Sequence, residues 1–359
     1  MQMKGNKGEW SEIYTLFKVL SDKTLYVGDE NLEKIADIYY PIVNVLRMEN
    51  KDCYQYDISQ DIVIISSNNN EIARVAISEF KDNATLLFNQ IKKAKGTFYV
   101  PELSDFINKI KICSLKADAN VKTDITIKVH DQYSGQEPVL GFSIKSMLGS
   151  AATLLNAGRT TNFKYKINGV ITTEQLNDIN AINSRSKVLD RLNTLEKQQC
   201  DITFQCIENN VFSNNLILID SLLPNLLSFI VKAFYQSHYS KLSDLVREVE
   251  IDNPLSFDLT QQHQYYQYKI KRFLTDIALG MMPSKTWNGV YEATGGYLVI
   301  KDDGDVICYH IYNKNKFENY LFNNTKLETA STSRHGFGVI YKEDNQFFIN
   351  LNLQIRFIK

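Results

Sequence analysis

At 359 residues, with 44% hydrophobic and 23% charged side chains, the chain has the composition of an ordinary soluble globular protein, long enough for one large domain or two moderate ones. Forty Lys+Arg against 41 Asp+Glu leave a net charge of −1, which excludes a broadly basic surface. Any contact with nucleic-acid phosphates must then be local.

Trp10, Ile13, Tyr14, Phe17 and Leu20 recur at helical spacing and predict an opening helix. A second helix is expected over Asn31–Arg47. Asp61–Ser66 and Glu71–Ser78 are β-rich runs either side of SNNN and read as a hairpin. Lys81–Lys95 and Pro101–Leu115 read as helices, the latter with Pro101 in its first turn. Asp124–His130 (DITIKVH) and Pro138–Lys145 (PVLGFSIK) then form a strand pair turned by QYSGQ, and Ser150–Ala157 reads as a short helix. Asn162–Asn168 and Cys200–Ile207 are further strands, and Leu218–Leu279 is mainly helical. A hinge is expected at Met281–Gly289. Beyond it the pattern is β: Gly296–Lys301, Asp305–Ile311, Gly338–Lys342 and Gln346–Phe357. There is no internal repeat, and the element order implies an α/β or α+β core with a C-terminal β-rich portion.

Several chemistries are disfavoured. The five cysteines are scattered, with no C-x-x-C pair and no histidine at zinc spacing, as for thiols in a reducing cytosol. The N-terminus lacks the apolar stretch of a signal peptide, and the most apolar region, Leu216–Phe234, is broken by Asp220, Pro224 and Lys232. A cytoplasmic protein without membrane contact is expected. His130, His238, His263 and His310 show no paired spacing, and no Walker motif or Gly-rich cofactor loop is present.

The candidate chemistry lies on the predicted hairpin. Asp124 opens its first strand, and Lys145 closes its second, 145 − 124 = 21 positions later. Pairing would bring a carboxylate and a lysine to one sheet end. Ser143, two before Lys145, shares its face. Phosphodiester hydrolysis uses that combination: carboxylate oxygens hold Mg²⁺, and lysine orients water or stabilises the transition state. The same residue types also serve as ordinary edge and solubility devices. Glu9 and Glu12 lie three apart on the opening helix, where the macrodipole favours acids and where a carboxylate could complete a metal shell. Ser146–Phe163 is dense in Asn, Arg, Ser and Thr, suited to phosphates and base edges or simply to a polar loop. Ser331–Gly336 (STSRHG) links two strands as a groove-entering loop or an exposed turn.

GNKGEWSEIYTLFKVLSD, GFSIKSMLGSAATLLNAGRTTNF, STSRHGFG and LNLQIRF, in that order from about residue 4 to residue 358, resemble the HpaII family of type II restriction endonucleases. The resemblance implies a PD-(D/E)xK core, a mixed sheet flanked by helices, within residues 1–280, and a β-rich region at 281–359 contributing to DNA recognition. It implies Mg²⁺-dependent cutting of double-stranded DNA at CCGG, blocked by methylation there, alongside a cognate DNA methyltransferase. Two copies could act together on such a symmetric site. Asp124 matches the family's first acid, though Thr123 replaces the usual proline, and Lys145 matches the motif lysine. Ser143 stands where a second acid is usual, so another carboxylate should substitute: Glu12 first, with Glu9 and Glu137 in reserve. Recognition is expected from Asn156, Arg159, Thr160, Thr161 and Asn162 and from Ser333, Arg334 and His335, with the two arginines best placed for bidentate contact to guanine.

Overall fold

In the computed structural model, which describes residues 3–49, 52–115, 123–132 and 134–359, helix α1 runs over Lys7–Asp22. Asn6 caps it: its side chain accepts from the Glu9 N–H, and the Glu9 carboxylate accepts from the Asn6 N–H, a reciprocal capping box. Trp10, Ile13, Tyr14, Phe17 and Leu20 are all buried, as their spacing predicts. Strands β1 (Thr24–Gly28), β2 (Lys34–Glu49), β3 (Asp52–Ser59), β4 (Ile62–Ser67) and β5 (Asn70–Ala76) follow, then α2 (Ile77–Lys93), α3 (Ser104–Lys109), β6 (Ile125–Val129) and β7 (Val139–Ser146).

Three expectations fail in instructive ways. The segment read as a helix over Asn31–Arg47 is strand β2, sixteen residues long. Pro41 at its centre would have cost a helix about 3 kcal/mol, whereas its missing N–H is harmless at a point where strand partners change. The helix expected over Pro101–Leu115 ends at Lys109, because Lys111 turns into the left-handed region at φ +64°. Ser150–Ala157 contains strand β8 (Thr153–Leu155) and no helix; its partner lies some 200 positions further along the chain, so no local pattern announces it.

The chain continues through β9 (Asn162–Asn168), α4 (Thr173–Ala181), α5 (Lys187–Lys197), β10 (Asp201–Ile207), α6 (Asn210–Ile219), α7 (Leu223–Gln236), α8 (Leu242–Asp252) and α9 (Tyr265–Leu279). After β11 (Gly296–Ile300), β12 (Val306–His310) and α10 (Lys314–Asn323) it ends in β13 (Thr325–Leu327), α11 (Thr332–His335), β14 (Ile340–Glu343), β15 (Gln346–Asn352) and β16 (Ile355–Phe357). Contacts divide this mixed α/β chain into two units: Met1–Ala152 with Tyr291–Tyr320 and Lys359, and Thr153–Val290 with Leu321–Ile358. The β-rich C-terminal stretch is therefore shared, β11 and β12 entering the first unit and β13 to β16 the second.

In the first unit nine strands run β1-β12-β11-β7-β6-β2-β3-β4-β5, and β1 also pairs with β2. The extra pairing closes β1, β12, β11, β7, β6 and β2 into a barrel. Strand β2 makes closure possible by pairing with β1 and β6 as well as β3: its Pro41 faces Thr24 on β1, while its Val45 faces Ile127 on β6. Trp10, Phe17, Phe80, Tyr56 and Phe142 belong to the core formed by α1, α2 and this sheet. In the second unit β10-β9-β15-β14 and β13-β16-β8 form two smaller sheets. Phe163, Tyr165, Leu226, Ile230, Phe273 and Ile349 are buried there. Among the described residues no single helix is long and apolar enough to cross a membrane.

Candidate active site

Strands β6 and β7 pair antiparallel, with Ile125 opposite Phe142 and Lys128 opposite Val139. Their connection is tightened by Gly135, whose N–H donates to Asp131 O at 2.8 Å and whose φ of +67° suits glycine; Tyr133 of the expected QYSGQ turn lies outside the described residues. The pairing puts Asp124, just ahead of β6, beside Ser143 on β7. Gly141 allows the neighbouring Thr123 to come close: a Cβ at 141 would sit 2.7 Å from the Thr123 hydroxyl, which donates to Glu292 O.

A short hydrogen-bonded chain results. The Lys145 ammonium donates to Ser143 Oγ at 3.1 Å, Ser143 Oγ donates to Asp124 Oδ2 at 3.0 Å, and the Ile144 N–H donates to the same oxygen at 2.6 Å. Ser143 is only 3% exposed, so its hydroxyl is held as an internal bridge. Hydrogen bonds from described residues reach the Asp124 carboxylate only at Oδ2.

Two further groups complete the surroundings. Strand β11 runs parallel to β7 with Tyr297 opposite Ser143, and the Lys145 ammonium lies 4.9 Å from the centroid of the buried Tyr297 ring. Helix α1 packs on β7, where Ser11 Oγ donates to Ser146 Oγ at 2.8 Å, and it carries the half-buried Glu12 one position on. Desolvation pulls the Lys145 pKa below the ordinary lysine value, while the charges of Asp124 and then Glu12 push it back up. The two carboxylates thus act on the same half-buried lysine.

Asp124, Ser143 and Lys145 are brought together by the strand pairing, and Glu12 acts on the same lysine through its charge. Glu9 and Glu137 are engaged elsewhere. Glu9 caps α1, and Glu137 pairs with Lys128 at 2.7 Å at the turn end of the hairpin, which lowers its pKa. Tyr297 was missed, since it reaches Lys145 through a parallel pairing that no local motif encodes. Among the described residues there is no group of three or more His, Cys, Asp or Glu arranged to hold a metal ion.

In the second unit the two expected recognition segments also meet. Asn162, 1% exposed, donates to His335 O at 3.0 Å and to Gly336 O at 3.3 Å. Asn352 donates to Gly158 O at 2.7 Å and to Asn162 Oδ1 at 2.7 Å, and the buried Thr161 hydroxyl donates to Gly158 O. Thr161 and Asn162 therefore staple the loops, while Asn156, Arg159, Ser333 and Arg334 are exposed and Thr160 and His335 half-buried. The Arg159 guanidinium passes Gly336, where a Cβ would lie 3.7 Å from Nε. Ser331–Gly336 is not an open loop: Ser331 caps the single helical turn α11, and Gly336 closes it at φ +66°.

A half-buried lysine tied through a serine to a carboxylate, and subject to the charge of a helix glutamate, has the donor and acceptor types that phosphodiester chemistry uses. The model of a restriction endonuclease family matches residues 6–357, and the chain is a restriction endonuclease. That family is the HpaII restriction endonuclease family, and the chain belongs to it. It is 46% identical over 359 residues, 99% of this chain and 98% of the other, to "Type II restriction enzyme HpaII" of Haemophilus parainfluenzae. No solved structure matches it significantly.

Proposed function

We propose that this restriction endonuclease hydrolyses both strands of double-stranded DNA at CCGG with Mg²⁺ as cofactor, as the cutting half of a restriction–modification system. The single observation that carries the catalytic assignment is the Asp124–Ser143–Lys145 chain on paired strand ends, overlooked by Glu12. In this reading β6, β7 and α1 are the core of a PD-(D/E)xK nuclease, and Glu12 takes the place of the acid that Ser143 lacks. The CCGG target is supported by the near-complete, 46% identical alignment with the type II enzyme HpaII.

The donor set suits Mg²⁺, a hard cation commonly held by one or two carboxylates together with water and substrate phosphate. Asp124 and Glu12 would hold it. Bound there, Mg²⁺ would neutralise phosphate charge and activate water. Lys145 sets its ammonium against the charge growing on the phosphate oxygens as water attacks and the bond to O3′ breaks, leaving 5′-phosphate and 3′-hydroxyl ends. Ser143 fixes that ammonium, and the Tyr297 ring excludes solvent from one side of it.

Arg159 and Arg334 are the proposed readers of guanine, with Asn156, Ser333 and His335 beside them. A cognate DNA methyltransferase that would shield the host's own DNA, and a cytoplasmic location with that DNA, belong to the proposal. A homodimer fits the two-fold symmetry of the site.

The test is digestion of a plasmid of known sequence with Mg²⁺, with EDTA, and with Lys145→Ala. Mg²⁺-dependent fragments ending at CCGG, missing for the variant, are expected. Specific binding without cutting in Mg²⁺ or Mn²⁺ would instead mark Ser143 as the scar of a lost active site.

A further inference from the structure

The second unit contains an open cleft of about 790 Å³ that the catalytic reading does not use. Its floor and walls include Arg185 and Lys187 at the start of α5, Ser237 to Ser240 after α7, and Thr329 to Ser333 leading into α11. We propose that this cleft is a docking groove for the DNA phosphate backbone beside the recognition loops, an inference that rests on the nuclease reading above.

Charge is the first argument. Arg185 and Lys187 have no ion-pair partner among the described residues, although this chain has slightly more acids than bases. Two cations on the same rim, with no acid paired to either, form a local basic patch of the kind a neutral protein needs to hold phosphates. The one carboxylate among the lining residues, Glu328, is neutralised by Arg356 at 2.6 Å. Asp190, in the first turn of α5, does not line the cleft and accepts from Ser186 Oγ at 3.1 Å.

Donor chemistry is the second argument. Ser237, Ser240, Ser331, Thr332 and Ser333 line the space, and the first turn of the eleven-residue α5 adds the positive end of its dipole. Hydroxyls, backbone N–H groups and Arg/Lys are the donors that make sequence-independent contacts to phosphate. Continuity is the third. Ser331 to Ser333 belong both to the cleft wall and to the segment carrying Arg334, so a backbone seated in the cleft runs directly into the proposed base-reading residues.

Arg334 would discriminate between sequences, whereas Arg185 and Lys187 would bind every duplex alike. The experiment measures binding of two duplexes, one with CCGG and one scrambled, by anisotropy without divalent metal between about 50 and 200 mM salt. It compares the full chain, Arg185→Ala/Lys187→Ala, and Lys197→Ala, an exposed cation at the far end of α5. Each lost phosphate contact should reduce the salt slope by about 0.9 and weaken binding roughly fivefold near 0.15 M salt. The double variant should therefore lose about 1.8 in slope and roughly 30-fold in affinity for both duplexes, with turnover at saturating DNA unchanged and KM raised. A slope equal to that of Lys197→Ala would overturn the proposal, as would loss confined to the CCGG duplex. Cleavage is scored separately: a wild-type chain that binds with the expected slope and never cuts would sink the nuclease reading and leave the groove standing.

Discussion

Replacing Ser143 by alanine removes the hydroxyl that links Lys145 to Asp124 and changes little else. The side chain is 3% exposed, so no surface that DNA could touch is altered. Two hydrogen bonds vanish, one donated by Lys145 at 3.1 Å and one accepted by Asp124 at 3.0 Å, while the Ile144 N–H still holds Asp124 Oδ2. A hydrogen bond to a charged group is worth about 1.5–3 kcal/mol net. If the Lys145 bond is what keeps the ammonium aimed, that amount is lost from the transition state, or about 10- to 150-fold in rate at 1.36 kcal/mol per decade. The measurement is single-turnover plasmid cleavage at saturating enzyme and Mg²⁺, with a thermal melt showing that the variant is folded at the assay temperature. Affinity for the CCGG duplex should be unchanged. A cleavage rate within about twofold of wild type would refute the claim that Ser143 positions the lysine.

Tyr297→Phe keeps the ring beside the Lys145 ammonium and should retain most of the cleavage rate. Tyr297→Leu loses a cation–π contact worth about 0.5–2 kcal/mol and should slow the single-turnover rate by roughly 2- to 30-fold; equal rates for the two would show that the ring is mere packing. Arg334→Ala and Arg159→Ala should each weaken binding of the CCGG duplex by about 1–3 kcal/mol while sparing scrambled DNA, as read in a binding titration. Buried His310 has its pKa lowered to about 4, chiefly by desolvation, with Asp131 pulling the other way. Below pH 6.5 the unfolded chain takes up this proton first, so stability falls as pH drops from about 6.5 to about 4, by up to roughly 3 kcal/mol. Denaturant titrations at several pH values should show that loss shrinking in His310→Phe, whose ring can still pack against Tyr40 and Phe142. An unchanged pH slope would dismiss the assignment.

What could be read in advance follows physical range. The Asp124–Lys145 hairpin was legible because its strands are neighbours in sequence and alternate cleanly. Helix α1 was legible because its apolar spacing repeats over four turns and its cap is local. Strand β2 was not, since its apolar residues satisfy both periods and its partners are chosen by tertiary pairing. Its Pro41 was the available sign. The serine in an acid's place could be noticed but not explained until Asp124 and Lys145 were seen on either side of it. Tyr297 and Asn352 left no sequence signal, because each is defined by a partner more than 150 positions away. The conjunction of Asn162 with His335 is invisible for the same reason.

The barrel's closure has a consequence in time. Tyr297, which completes the wall around Lys145, is made 297 − 145 = 152 residues after the lysine, and β12, which seals the ring against β1, follows it. At about 5–20 residues per second, roughly 8–30 s of synthesis separate the lysine from the ring beside it. A nascent chain, or one abandoned by the ribosome before residue 297, carries the acid, the serine and the lysine but not the enclosure that fixes them. Fragments that end before residue 297 are therefore expected to leave plasmid DNA uncut under conditions in which the full chain cleaves it.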